Sequence, residues 1–247
     1  MSNPINISND IHFEKLLKRL SDDILSAPAF LRMDKQLSEF FEKYRDEVVQ
    51  AEFFWGMVAP AVRETALLRL SRVYDQRPDT LSLRTLLATI EANKHLFEDD
   101  MVRKRVNTAF ANSITPGSHL PNAKTIQTDL ALVSSSDPLV NKIVIWRGNF
   151  GAHVSAKLTI ENTLGDEKVP TQEEAFSLAD RALKVFNHYT SLFHAVSYSM
   201  KYLNEEGSLE SVFKYMRAGL TARRRARDEA AECPLKEINR SQQSDLR

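Results

Sequence analysis

Apolar residues recur every three or four positions along almost the whole chain, and no stretch alternates as a half-buried strand would, so the pattern predicts an all-α protein. A first helix is expected from about Asp10, with Phe13, Leu16, Leu17, Leu20 and Ile24 on one face. It should end before Pro28, whose ring removes a backbone donor. A longer pattern from about Asp34 to Tyr74 carries Leu37, Phe40, Phe41, Tyr44 and Val48, then FFWGMVAP and LLRLSRVYDQRP. Gly56 and Pro60 interrupt it, which predicts a kink or a division into two helices there, and Pro78 closes it.

Two shorter helices follow at about 80–93 and 99–112, then the loop SITPGSHLPN (113–122) and a helix from Lys124 to Val133. SSSDP stops that helix and starts another, because Asp137 can cap free amides and Pro138 suits a first helical position. This helix is expected over about Pro138 to Lys157. After the loop TIENTLGDEKVP, Thr171 and Glu174 form a capping box for a helix reaching about Glu206. Its stripe is Phe176, Ala179, Leu183, Phe186, Thr190, Phe193, Ser197 and Met200. A last helix after Gly207 carries Leu209, Val212, Phe213, Met216 and Leu220 before becoming TARRRARDEAAE, and residues beyond about Glu232 read as a disordered polar tail. The expected organisation is an accessory helix (1–33), a helical bundle (34–207), a basic helix (208–231) and the tail (232–247).

Composition narrows the function without choosing it. Of the 247 residues 43% are hydrophobic, enough to bury a core without disulfides or metal. Lys+Arg and Asp+Glu both number 33, so binding to nucleic acid must rest on a local patch. The one cysteine, Cys233, excludes an internal disulfide framework and cysteine-rich zinc sites, which fits a reducing, cytoplasmic setting. No leader, membrane span or anchor is expected from the apolar pattern.

The segment WRGNFGAH, residues 146–153, spends two of the chain's seven glycines inside an expected helix. Each glycine costs roughly 1 kcal/mol there relative to alanine, a cost that close approach of a second backbone, a kink or access to a ligand would explain. On an α-helical wheel Ile143, Trp146, Phe150 and Val154 form one apolar stripe. Asn149 and His153 are neighbours, while Arg147 lies about 120° from His153 on the other flank. Joint action of Arg147 and His153 would then call for two copies of the helix about a two-fold axis. Tight helix packing with a surface histidine accounts for the same residues without chemistry.

An arginine, five intervening residues and a histidine on a late helix of an α-helical bundle resemble the signature of the HEPN superfamily. FFWGMVAPAVRETALLRLSRVYDQ, residues 53–76, with the following SLRTLL segment, is similar to the helix pair preceding that motif in the abortive-infection U-type branch. The resemblance spans roughly residues 40–205. It implies a HEPN-like helical bundle with added N- and C-terminal helices, acting as a homodimeric endoribonuclease that needs no metal or other cofactor, in toxin, antitoxin or phage-defence settings. Arg147 and His153 become the catalytic pair: a histidine of near-neutral pKa can relay protons, and a guanidinium can brace a phosphate. Family members usually carry a polar residue directly after the arginine. Here that position is Gly148, and Asn149 one residue later is the candidate for the polar role. The same departure supports a second reading, a catalytically inactive HEPN dimer that binds a partner protein such as an antitoxin, a nucleotide or RNA.

Other features are weighed against plainer readings. Lys214, Arg217, Arg223, Arg224, Arg225 and Arg227 form a basic segment, with Arg223, Arg224 and Arg225 candidates for RNA phosphates. A solvated helix end explains them equally. Arg63, Arg69 and Arg72 read as mainly structural, His188 and His194 as packing or surface residues, and Asp75 as a capping or orienting group.

Overall fold

A computed structural model describes residues 3–106, 111–151, 169–199 and 206–244, without the side chains of residues 150, 151, 206 and 231–244. Among the described residues every regular element is helical, as the periodicity predicts. The first, α1 (Asp10–Lys43), starts where expected, with the Asn9 side chain accepting from the His12 amide at 2.9 Å. It does not stop at Pro28. Ile24, Ala27 and Leu31, on both sides of the proline, are almost completely buried. Their shared apolar face outweighs one lost backbone bond.

The division into two helices expected at Gly56 and Pro60 falls elsewhere. The chain leaves helical geometry at Tyr44, forms the short α2 (Arg45–Val49), turns at Gln50 and Ala51, and runs on as α3 (Glu52–Val73), which includes Pro60. A proline ring crowds the carbonyl four residues earlier, and here that residue is Gly56, the one with most backbone freedom.

Then come α4 (Leu83–Ala92), a 3₁₀ turn (Lys94–Phe97), α5 (Asp99–Arg105) and α6 (Ala123–Leu132). Ser82 and Thr85 make a reciprocal capping box on α4, and Asn122 caps α6. Asp137 caps α7 (Pro138–Trp146), its carboxylate accepting from the amides of Leu139 and Val140 at 2.9 and 3.1 Å. The Thr171–Glu174 capping box opens α8 (Gln172–His194). That helix ends about a turn and a half before Met200 and well short of Glu206, because Ala195 adopts a left-handed conformation with φ 57°. The turn is held without a glycine. Asn187 pairs with the backbone of Tyr198 in both directions, each bond 2.8 Å, and the Thr190 hydroxyl donates to the Val196 carbonyl. The last helix, α9 (Glu206–Ser244), includes Gly207 and passes Glu232, where a disordered tail was expected. Beyond Glu232 it continues through Pro234 into a segment that includes the helix formers Leu235, Lys236, Glu237, Arg240, Gln242 and Gln243.

The chain groups into two compact units: Met1–Asp34 with Pro60–Leu203, and Lys35–Ala59 with Asn204–Arg247. In the first unit α1 is part of the core. Phe13, fully buried, meets Phe97 and Phe193 edge-on at 5.8 and 4.8 Å, and Leu17, Leu20 and Ile24 continue the contact. Around them pack Leu70, Tyr74, Leu86, Ile90, Ile143, Leu178 and Phe186. The second unit is built on Phe213, fully buried and stacked on Trp55 and Tyr44 with centroids 5.0 and 5.1 Å away. Arg217 lies over the Tyr44 ring and donates to buried Glu47 at 2.6 Å.

Candidate active site

The RVYDQ segment ends α3 in the first unit, and its side chains are held from several directions. The Tyr74 hydroxyl, fully buried, donates to the Leu178 carbonyl at 2.7 Å, and burial pushes its pKa up. The Gln76 amide donates to the carbonyls of Tyr74 and Val133, while its oxygen accepts from Arg84 at 2.8 Å and from the Ser135 amide at 3.2 Å. Asp75 between them is therefore fixed in place. One of its oxygens accepts from the Arg77 amide at 3.1 Å, and the other from the Arg77 guanidinium and from Arg147. Burial raises the Asp75 pKa, but hydrogen bonds from Arg147 and Arg77 outweigh it and hold the carboxyl below its ordinary value.

Arg147 stands at the junction of two helix types. Regular α-helix ends at Trp146, and Arg147–Gly151 form a single π turn. The sequence predicts α-helix through Lys157, of which residues 152–157 lie outside the described residues. The Asn149 side chain supplies a reason for the change: its amide donates to the Ile145 carbonyl at 2.8 Å, the acceptor an α-helix reserves for the Asn149 backbone N–H. Gly148, with the lowest helix preference of any residue but proline, lets the turn widen. Because a π turn holds more residues than an α turn, the 100° wheel does not carry past Trp146. The angle expected between Arg147 and His153 is thus not set by that wheel. Single π turns recur at functional positions.

A β-carbon added to Gly148 would meet no heavy atom within 4 Å. Packing among the described residues sets no steric demand for glycine there. The Arg147 side chain is 23% exposed, anchored at one nitrogen and open at its rim. His153 lies outside the described residues. Asn149 is half-buried and spends its amide on its own backbone.

Arg147 and Asp75 line a pocket of about 240 Å³ with Arg19, Leu20, Asp23, Arg72, Arg77, Thr80 and Leu81. Sequence reasoning missed Asp23. Its buried carboxylate gathers Arg19 (3.2 Å), Arg69 (3.0 Å) and Arg72 (2.7 and 2.9 Å). The signals present were local: Arg19 and Asp23 at the four-residue helical spacing, and Arg69 and Arg72 on one face of α3. The pairing between helices, across 46 and 49 positions, had no local trace.

The remaining candidates fall elsewhere. Arg223, Arg224 and Arg225 belong to the second unit and are exposed, Arg224 reaching Asp46 at 3.5 Å. Lys214 pairs with Glu210 and Arg217 with Glu47, so the first part of the basic segment is structural. His188 is exposed. Burial lowers the pKa of half-buried His194, and among the described residues no group of three His, Cys, Asp or Glu converges as metal ligands would.

The domain is all-α, and Arg147 on its π turn is pinned by the buried carboxylate of Asp75. The family model described as AbiU2 matches residues 10–212, and the chain belongs to this AbiU2 family of HEPN proteins, which links it to abortive infection. Comparison with curated proteins and with solved structures gives no match. Among the described residues no helix is long and apolar enough to cross a membrane.

Proposed function

We propose that the protein is a metal-independent endoribonuclease of toxin or phage-defence type, working in the cytoplasm, with a composite site formed by two copies of the chain. The observation that carries this reading is Arg147. A guanidinium held at one edge by Asp75 is oriented before substrate arrives, and its remaining donors can meet a phosphate without reorganisation. His153 of the motif takes the proton from the ribose 2′-hydroxyl as that oxygen attacks the adjacent phosphorus; the bond to the 5′-oxygen breaks, leaving a 2′,3′-cyclic phosphate, and a solvent water protonates the departing 5′-oxygen. Arg147 braces the charge that builds on the phosphoryl oxygens. Asn149 contributes a polar carbonyl oxygen beside the pair. Arg223, Arg224 and Arg225 add electrostatic attraction for the strand.

The open space at Gly148 favours a site completed by a second chain, since a bare backbone admits close approach of another helix. The same glycine, standing where relatives of this class carry a polar residue, keeps a second reading in play: a HEPN dimer that binds RNA, a nucleotide or a partner protein such as an antitoxin without cutting. Incubating the purified protein with RNA in EDTA separates the two. Cleavage that His153→Ala and Arg147→Ala each abolish supports the nuclease. Cleavage that survives both, or that needs added metal, contradicts it, and tight partner binding with no cleavage of any RNA supports the second reading.

A further inference from the structure

Beside Arg147, the pocket holds more positive charge than its carboxylates balance. Four guanidiniums, of Arg19, Arg72, Arg77 and Arg147, face two carboxylates, Asp23 and Asp75. Both acids are buried, and their oxygens already accept several bonds. Asp23 takes Arg69 and Arg72 on one oxygen and Arg19 and Arg72 on the other, and Asp75 takes the Arg77 amide on one and two guanidiniums on the other. The acids thus form an inner layer that sets the orientation of the arginines. The outer layer is cationic and wet: the side chains of Arg19, Arg72 and Arg77 are 56%, 44% and 60% exposed. A guanidinium has five donors, and the bonds to Asp23 and Asp75 use one or two on each of these three.

We propose that Arg19, Arg72 and Arg77 form a second phosphate site, which holds the phosphodiester next to the one braced by Arg147 on a bound single-stranded RNA. The proposal rests on the reading of Arg147 as the phosphate brace. A strand fits better than a free nucleotide because the pocket offers nothing to grip a base: its lining has no aromatic ring, and only Leu20 and Leu81 are apolar. Base recognition in single strands depends on stacking platforms, whereas backbone contacts need only oriented cations. The site would position the strand and leave its sequence unread.

The test is fluorescence anisotropy of a labelled single-stranded oligoribonucleotide with the full chain, read as affinity against salt. His153→Ala in every sample keeps the strand intact. For single strands each phosphate contact contributes about 0.7 to the slope of log affinity against log salt. Arg19→Gln and Arg77→Gln should each flatten the slope by about that amount and weaken binding roughly three- to tenfold at low salt. Arg19→Lys, which keeps the charge, should restore most of the slope, and circular dichroism on each variant establishes that the fold is intact. Unchanged slopes in folded variants, or no binding of the oligonucleotide, would overturn the site. A mononucleotide competing as well per phosphate as the strand would overturn its assignment to RNA. Cutting is not part of the readout, so the two readings fail separately. A nuclease with unmoved slopes loses only this site, and a slope change without cleavage loses only the nuclease.

Discussion

Arg147, on the π turn, donates to Asp75 at the end of α3, 72 positions earlier in the chain. The bond joins the RVYDQ and WRGNFGAH segments, so its loss should affect both function and folding. Asp75→Ala removes a buried carboxylate and leaves two guanidiniums without their partner. We expect a loss of roughly 2–3 kcal/mol in urea unfolding. Asp75→Asn, which keeps the size and part of the hydrogen bonding, should cost less stability. It should still slow cleavage by about one to two orders of magnitude, because a misdirected guanidinium no longer meets the phosphate.

Gly148 distinguishes packing within one chain from contact between two. A methyl group there meets nothing within 4 Å, so Gly148→Ala should leave the thermal midpoint of the monomer unchanged or slightly raised. If a second helix approaches this backbone, the same substitution should weaken self-association, measured by sedimentation, and reduce cleavage in parallel.

The acid limb of stability should trace to Asp23 and Asp75. Burial raises the Asp23 pKa, but the hydrogen bond and charge of Arg72, with Arg19 and Arg69 behind it, bring it below 3.8; Asp75 is likewise held low. A lowered folded-state pKa means that the unfolded chain binds the proton first. The stabilisation is therefore complete above the unfolded value and is lost as pH falls below it through the folded values. Asp23→Asn should lower stability at neutral pH and make the decline below about pH 4 shallower, read by denaturant titration across pH.

Phe213 holds the second unit together. Phe213→Ala should cost about 3–5 kcal/mol by the usual scale for a buried ring. Trp55, stacked on Phe213 at an interplanar angle of 19°, is a natural reporter of the change. We expect red-shifted tryptophan emission and faster proteolysis within residues 206–244. The Phe13, Phe97 and Phe193 cluster of the first unit should keep its near-ultraviolet signal.

What could be read from the sequence was what local chemistry decides. Asp137 with Pro138, and Thr171 with Glu174, start helices where the spacing places them, because a cap involves residues two or three apart. The all-α class was legible in the same way, because the three- to four-residue apolar spacing is local. Pro28 and Pro60 misled because a helix interior tolerates proline when its apolar face is well buried, and burial depends on distant partners. The π turn at Arg147 hangs on one side-chain bond, from Asn149 to Ile145, that competes with the backbone ladder. Asp23 was invisible as a site residue because three arginines reach it from two helices far apart in sequence.

A site built from Arg147 of one copy and His153 of the other is tested most directly by one mixing measurement in EDTA. Arg147→Ala and His153→Ala proteins are assayed on labelled RNA alone and after equilibration at equal concentration. Each should be inactive alone. The mixture should recover about one quarter of the wild-type rate, since random exchange makes half the dimers mixed and each of those has one intact site of two. A mixture as inactive as its components would contradict the composite site, and cleavage by either single variant at the wild-type rate would contradict the catalytic roles assigned to these residues.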